Sequence, residues 1–127
     1  MAPSHTWKPE DFRIDPSRPL YEQFVEQIRS LIAKGELVPG TRLPSVRDTA
    51  AALRVNPTTV MKAYAELERL SLLVTFRGQG TFVTEQREAI VRSRRAMARD
   101  AVKQAEAVAG SIGMTLPEMI EFAKEEE

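Results

Sequence analysis

Residues 43–70 decide the fold of this chain, and their sequence is LPSVRDTAAALRVNPTTVMKAYAELERL. Ser45 and Asn56 belong to the residue types that cap the start of a helix, because a short side-chain oxygen can accept a hydrogen bond from an otherwise unpaired amide. Pro57 suits the first position of a helix, since it has no amide to leave unpaired. The stretch therefore predicts two helices in succession, joined by a tight turn.

The second of these helices, predicted at about 57–70, is amphipathic. Its apolar face carries Val60, Ala63, Tyr64, Leu67 and Leu70. Its opposite face carries small polar and basic side chains, namely Thr58, Lys62 and Arg69. Two helices joined by a short turn form a helix-turn-helix, in which the second helix performs recognition. The polar face is therefore the candidate recognition surface.

Regular patterns on both sides extend this unit to a winged helix. On the N-terminal side, apolar residues at helical spacing predict a helix over residues 20–34, with Gly35 as its stop. On the C-terminal side, two β-rich runs at 73–76 and 81–84 flank the sequence Arg-Gly-Gln-Gly at 77–80. Two such runs separated by a glycine-containing segment predict a β-hairpin, which is the wing.

The chain divides into three predicted parts. Residues 1–16 are expected to form a flexible N-terminal arm, in which the alternating pattern at 12–14 allows a short strand. Residues 17–85 are expected to hold the winged helix-turn-helix domain. Residues 86–127 are expected to form a two-helix tail, with Thr115 capping its last helix. The predicted fold class is mainly α with a small β wing.

The composition excludes several classes of site. The chain has 127 residues, no cysteine and a single histidine, His5, which rules out disulfide frameworks, thiolate metal sites and multi-histidine metal sites. Neither a membrane-spanning run nor a signal-peptide core is evident, so a cytoplasmic protein is expected. The acidic residues Glu10, Asp11 and Asp15 lack a companion histidine, and no nucleophile–base pair is evident. We therefore expect no enzymatic activity, no catalytic residue, no metal and no cofactor.

The distribution of charge is more informative than its total. The chain has 18 basic and 18 acidic residues, so the formal net charge is zero. Between residues 42 and 84, however, six basic residues accompany three acidic ones. A locally basic segment within a neutral chain permits a nucleic-acid surface.

The geometry of a winged helix gives each polar group near the turn a candidate role. The major groove admits an α-helix, so the recognition helix at about 57–70 is expected there, with its N-terminal dipole and free amides favouring phosphate. The short side chains of Thr58 and Thr59 allow close approach, and the planar fork of Arg47 can bind guanine or phosphate. The wing at 77–81 is expected at the adjacent minor groove. The complete set of predicted DNA contacts is Arg42, Ser45, Arg47, Asn56, Thr58, Thr59, Lys62, Arg77, Gly78, Gln79, Gly80 and Thr81.

Five motifs carry a resemblance to a known family. They are Pro19-Leu20-Tyr21-Glu22-Gln23, Leu43-Pro44-Ser45-Val46-Arg47, Val55-Asn56-Pro57-Thr58-Thr59-Val60, Ala63-Tyr64-Ala65-Glu66-Leu67-Glu68 and Arg77-Gly78-Gln79-Gly80-Thr81-Phe82-Val83. Over about residues 19–84 the sequence resembles the GntR family of bacterial transcription regulators, and its short tail resembles the YtrA-like branch. The resemblance implies that Arg47 contacts DNA and that Gly78 is the wing glycine. It also implies that the polar start of the recognition helix is formed by Asn56, Thr58 and Thr59.

Two positions depart from the family pattern. Many members carry arginine at the position of Pro57 and another basic residue near that of Met61. These departures shift the expected base recognition towards Arg47 and the wing. Chimeric members also carry an aminotransferase-like domain that binds pyridoxal phosphate, and this sequence contains no counterpart of it.

The tail is predicted to form a homodimer interface. Its candidate contact residues are Ile90, Met97, Ala101, Ala105, Val108, Met119 and Ile120. Paired tails place two recognition helices on a palindromic operator with half-sites about one helical turn apart. The alternative is a monomer whose tail folds back on its own domain. The resemblance further implies a small-molecule effector, of unidentified chemistry, that modulates DNA binding.

These features together predict a sequence-specific regulator of transcription that binds double-stranded DNA, most simply a dimeric repressor that blocks promoter access. Each feature alone is also typical of an ordinary solvated helix or turn, whereas their occurrence together favours DNA. The alternative is a winged-helix module that binds another protein and not a specific DNA sequence. Such a module needs a neutral or apolar recognition face. Met61 and Ala65 are consistent with such a face, whereas Lys62 and Arg69 argue against it.

Overall fold

The computed structural model describes residues 7–126, apart from the side chain of Asp11, and within these residues the chain forms five α-helices and two β-strands. The helices are α1 (Leu20–Lys34), α2 (Val46–Leu53), α3 (Pro57–Arg69), α4 (Arg87–Ser111) and α5 (Leu116–Lys124). The strands are β1 (Leu73–Phe76) and β2 (Gly80–Val83), and a short 3-10 turn, Pro9–Asp11, precedes α1. The order of helices followed by a hairpin confirms the predicted winged helix with its mainly helical fold class.

The predicted helix caps are present. Ser45 Oγ accepts a hydrogen bond from the amide of Asp48 at 3.0 Å, and the Asn56 side chain accepts one from the amide of Thr58 at 2.8 Å. α1 ends at Gly35, whose φ of 83° is the left-handed conformation that glycine adopts without steric cost. These local signals therefore set the bounds of the first three helices.

The wing is an antiparallel hairpin in which Leu73 pairs with Val83 and Phe76 with Gly80. A third segment joins the sheet, because Arg42 forms a bridge with Phe82 and the loop before α2 exchanges backbone hydrogen bonds with β2. The wing is therefore attached both to the end of α3 and to the loop that leads into α2.

The core of the winged helix lies between α1, α3 and the inner face of the hairpin. The side chains of Phe24 and Ile28 from α1 meet Val60 and Leu67 from α3, and all four are fully buried. Further core residues are Ile32, Leu37, Leu43, Ala50, Ala63, Tyr64, Leu72, Leu73 and Val83. Burial of these faces fixes α3 in the domain and leaves its polar face at the surface.

The N-terminal segment differs from expectation. Trp7 and Phe12 are both part of the core, where the Phe12 ring stacks on Phe24 at a centroid distance of 4.6 Å. The short strand that the sequence allows at 12–14 is not formed, because these residues belong to neither strand of the described structure. The described part of the predicted arm is therefore packed on the domain, while His5 lies outside the described residues.

The described residues divide into two compact units, Met1–Ser93 and Arg94–Glu127, with the boundary inside α4. In the second unit α4 continues through Gly110 and ends at Ser111. α5 begins with the predicted cap, Thr115, which forms a capping box with Glu118 in which both reciprocal hydrogen bonds are present. Within residues 7–126, no helix is sufficiently long and apolar to cross a bilayer.

Candidate nucleic-acid interface

The predicted DNA contacts lie on three segments of the first unit. Arg42, Ser45 and Arg47 lie on the loop before α2 and on its first turn. A second group is at the start of α3, and a third is at the wing between β1 and β2. None of the twelve residues is buried, and only Thr59, Gly80 and Thr81 are half-buried. The structure thus leaves every predicted contact residue at least partly accessible to solvent.

A buried hydrogen-bond network connects the first two segments. The phenol of Tyr64, on α3, donates to the backbone carbonyl of Pro44 at 2.7 Å. Its oxygen lies 3.2 Å from the hydroxyl of Thr49 on α2, which donates to it because the single phenolic proton is already used. Burial raises the pKa of Tyr64 to about 12, so the phenol keeps its proton at physiological pH. The network fixes the start of α2, and with it Arg47, relative to the recognition helix.

Tyr64→Phe is expected to lower the free energy of unfolding by about 1–2 kcal/mol, because it leaves the buried Thr49 hydroxyl and the Pro44 carbonyl without this partner. Tyr21→Phe is the matched control, since it removes the same atom from a half-buried tyrosine whose hydroxyl has no hydrogen bond among the described residues. Urea denaturation of both variants measures the difference. Equal, small effects would show that the network does not hold α2 and α3 together.

The start of α3 offers side chains and not amides. Its first residue, Pro57, has no amide proton, the amide of Thr58 is bonded to the Asn56 side chain, and that of Thr59 bonds the Asn56 carbonyl at 3.0 Å. The expectation of free amides is therefore wrong for the first turn of α3, because Pro57 has none and Asn56 bonds those of Thr58 and Thr59. The hydroxyl groups of Thr58 and Thr59 are the polar groups this end presents.

The basic side chains of α3 are not equally available. Arg69 makes a bidentate pair with Glu66, with N···O distances of 2.6 and 2.9 Å, and these hydrogen bonds hold the pKa of Glu66 below its ordinary value. Lys62 lies over the ring of Tyr21, with its Nζ 4.8 Å from the ring centroid. A cation in this position is attracted by the ring and keeps its hydrogen-bond donors free. Lys62 is thus held in place and available, whereas Arg69 is neutralised.

The wing presents a glycine and two basic groups. Gly78 has a φ of +78° and no neighbouring atom where a Cβ would stand, so the tip of the hairpin is open on that side. Arg77 is exposed beside it, and Arg42 lies against β2 through its bridge with Phe82. Among the described residues Arg42, Arg47 and Arg77 take part in no ion pair, so these three guanidinium groups are free to bind an anion.

Four residues that organise this surface were missed from the sequence. Pro44, Thr49, Tyr64 and Tyr21 hold the candidate contacts in place without being candidates themselves. A phenol on the apolar face of a helix is a usable signal for Tyr64, since a buried hydroxyl requires a partner. Neither Thr49 nor Tyr21 carries a comparable signal, because their roles depend on which helices meet.

No cluster of histidine, cysteine or carboxylate side chains able to hold a metal ion occurs in the described part of the chain. The site consists of hydroxyls, amide side chains, the ammonium group of Lys62 and free guanidinium groups on a helical scaffold. Such groups are the ones that contact phosphates and base edges in protein–DNA complexes.

Comparison with known proteins identifies the family. The model of the bacterial regulatory proteins of the gntR family matches residues 20–83. The HTH-type transcriptional repressor YtrA of Bacillus subtilis is 40% identical over 116 residues, with 89% of each chain covered. A GntR family transcriptional regulator from Listeria monocytogenes superposes with a TM-score of 0.80 at 34% identity, covering 90% of this chain and 100% of that chain. YtrA from Sulfolobus acidocaldarius, a GntR-family transcription factor, gives a TM-score of 0.59 at 38% identity, covering 76% of this chain and 97% of that chain. This chain therefore belongs to the GntR family of bacterial regulatory proteins.

Proposed function

We propose that this GntR-family transcription regulator, with its DNA-binding winged helix, is a dimeric repressor that binds a palindromic operator and blocks promoter access. The observation that carries the proposal is the buried Tyr64 network, which fixes α2, whose first turn carries Arg47, relative to the recognition helix α3. A rigid constellation of unpaired donors is what specific contacts with base edges require, because ordering them on binding then costs little. The repressor named YtrA in Bacillus subtilis supports repression as the mode of action.

The proposed mode of binding places α3 in the major groove and the wing at the adjacent minor groove. Thr58 and Thr59 contact bases or phosphates with their hydroxyls, and Arg47 supplies the bidentate contact. Lys62, one turn further along α3, binds a phosphate. Arg77 and Gln79 at the wing contact the minor-groove side. This arrangement uses the free cations and leaves Arg69 with its acidic partner.

The proposal of a homodimer is supported by the second unit, Arg94–Glu127. Ala109 is the sole buried residue in its described part, so this unit has almost no core of its own. It nevertheless exposes five large apolar side chains, Val102, Val108, Ile112, Ile120 and Phe122. Apolar surface at this density is typical of an interface. A second copy of the chain is the simplest partner to cover it.

The predicted dimer contacts are distributed over both units. Ile90 packs partly buried against the core of the first unit, so it contributes to its own domain. Val108 and Ile120 are exposed, as an interface residue in an isolated chain must be. Val102, Ile112 and Phe122 were missed, although their apolar character on predicted helices was a usable signal. We include these three in the proposed interface.

The proposal includes no enzymatic activity, since the relatives that match this chain are transcription regulators. It includes regulation by a small-molecule effector, as the family resemblance implies, without a site for it. A protein whose partner is chromosomal DNA acts in the bacterial cytoplasm.

Selection of bound sequences from a random duplex pool is expected to yield a palindrome whose half-sites lie about one helical turn apart. Binding to this duplex is expected to weaken with salt, because each phosphate contact releases counterions and contributes about 0.9 to the slope of log K against log[salt]. Fluorescence anisotropy at several salt concentrations measures that slope, and sedimentation of the free protein measures its oligomeric state.

A scrambled duplex of the same length is the control for specificity. A protein that sediments as a dimer and enriches a palindrome supports the proposal in full. Enrichment of a single half-site by a monomer contradicts the dimer and leaves the DNA-binding function. If no sequence is enriched, with or without candidate small molecules, the proposal is wrong, and the exposed Met61 on α3 then favours a protein partner.

A further inference from the structure

The side chain of Arg42 occupies the space on one side of Gly80, the first residue of β2. A Cβ built at Gly80 would lie 2.8 Å from Nε, 3.2 Å from a terminal nitrogen and 3.3 Å from Cζ of Arg42. Carbon atoms do not approach so closely, so the guanidinium of Arg42 lies in space that any side chain at position 80 would fill. Gly80 also has a φ of +124°, a conformation that other residues rarely adopt.

The backbone of Arg42 is fixed on the same sheet. Arg42 forms a bridge with Phe82, two residues beyond Gly80, and the flanking Leu43 amide donates to the Thr81 carbonyl at 2.8 Å. Directly paired residues of antiparallel strands project to the same face, as do alternate residues of one strand. Arg42 therefore projects on the face where a side chain at position 80 would stand, which agrees with the close distances.

The Arg42 guanidinium lies beside Gly80 and is not neutralised there. It is exposed, and no carboxylate pairs with it among the described residues. Without a Cβ at position 80, the guanidinium can lie against the wing while its donors stay free. A cation that is positioned in advance loses less conformational entropy when it binds a phosphate.

From this geometry we propose that Gly80 is a positioning residue: its missing Cβ seats the guanidinium of Arg42 against the wing, and Arg42 from that position contacts a DNA phosphate. The inference rests on the proposed DNA-binding function and adds a role that differs from the sequence expectation. As a direct DNA contact, which the sequence predicts, Gly80 would instead act by letting its own backbone approach the DNA. The two roles differ in whether the effect of Gly80 depends on Arg42.

A double-mutant cycle separates the two roles. The variants are Arg42→Ala, Gly80→Ala and the double variant, and the probe is the operator duplex selected with the wild-type protein. Each single variant is expected to bind about tenfold more weakly, because one charge-assisted contact is lost. The double variant is expected to show the same tenfold loss, since Gly80 acts through Arg42. In all three variants the salt slope is expected to fall by about 0.9, corresponding to one phosphate.

Gly78→Ala is the matched control. Gly78 has a positive φ of 78° as well, but nothing occupies the space beside it, so its substitution strains the hairpin without displacing Arg42. The effects of Gly78→Ala and Arg42→Ala are therefore expected to add. Thermal unfolding of each variant verifies that it is folded at the temperature of the binding assay.

The outcomes distinguish the inference from the proposed function. A roughly hundredfold loss in the Arg42→Ala/Gly80→Ala double variant overturns the inference, because the effects then add. Wild-type affinity in Arg42→Ala also overturns it, while operator binding by the wild type upholds the proposed function. If Gly80→Ala does not fold, the test uses the wild-type protein instead. The measurement is then the nuclear Overhauser contact between Arg42 Hε and Gly80 Hα. Persistence of that contact in the operator complex supports the inference, and its loss overturns it.

Discussion

Arg47→Ala is expected to weaken operator binding by roughly 10- to 100-fold while leaving the thermal unfolding temperature unchanged. Arg47 lies in the first turn of α2, is exposed and has no acidic partner among the described residues. Its removal therefore breaks no contact that stabilises the fold. The whole of its effect should appear in DNA binding, because that is the one place where its five donors find acceptors.

The size of the expected loss in affinity follows from how the backbone around Arg47 is held. The residues around it are held by the Ser45 cap and by the bonds from Tyr64 to Pro44 and from Thr49 to Tyr64. A bidentate contact from an arginine to guanine is worth about 1–3 kcal/mol in discrimination against another base. Position 57 is proline in this chain, whereas many family members carry arginine there. Arg47 must therefore supply a larger share of the base recognition. We therefore expect this variant to lose sequence preference as well as affinity.

The measurement is anisotropy with the selected operator and with the scrambled duplex. Lys34→Ala is the matched control, because it removes one exposed positive charge from the same unit, at a lysine that already pairs with Glu36 at 2.9 Å. Lys34→Ala should bind within about twofold of wild type, since a surface ion pair is worth little. If Arg47→Ala loses no more than this control, Arg47 is not the base-reading residue and the recognition must come from α3 and the wing.

The fold was predictable where its determinants are local. The side chains of Ser45, Asn56 and Thr115 cap the helices that follow them, and Gly35 ends α1, because in each case the interaction spans only a few residues. The hairpin was predictable for the same reason, since two β-rich runs meet across one short segment.

The determinants of the site that were missed are contacts between segments distant in sequence. Tyr64 reaches Pro44 across 20 residues, and Arg42 lies against Gly80 of the wing. Periodicity identifies the face on which Tyr64 lies, but not the carbonyl that its hydroxyl meets. The amides expected to be free in the first turn of α3 are not, because Pro57 has no amide proton and Asn56 bonds the next two amides.

The N-terminal segment is another part of the structure that depends on contacts between residues distant in sequence. A polar stretch with two prolines has no periodicity, so it is typical of a flexible arm. Trp7 is nevertheless 2% exposed, with its ring edge-on to Phe24 at 5.9 Å and its Nε1 donating to Gln27 Oε1 at 3.2 Å. A single aromatic residue can anchor such a segment, because one indole buries about 200 Å².

Trp7→Ala is accordingly expected to lower the free energy of unfolding by about 3–5 kcal/mol, the range for removing a buried aromatic side chain from a core. Burial of about 200 Å² at about 25 cal/mol per Å² gives a similar upper value. For a domain of this size such a loss lowers the unfolding temperature by more than about 10 °C. Calorimetry and urea denaturation measure the two quantities.

Two further variants locate the effect. Trp7→Phe keeps an aromatic ring against Phe24 and loses the bond to Gln27, so it should lose about 1–2 kcal/mol. Lys8→Ala, at the exposed neighbouring residue, should lie within about 0.5 kcal/mol of wild type. Below its unfolding temperature Trp7→Ala should still bind the operator with near wild-type affinity, because Trp7 supports α1 and not the DNA contacts. This behaviour is the reverse of that expected for Arg47→Ala. Stability like that of Lys8→Ala would instead mean that the N-terminal segment does not belong to the core.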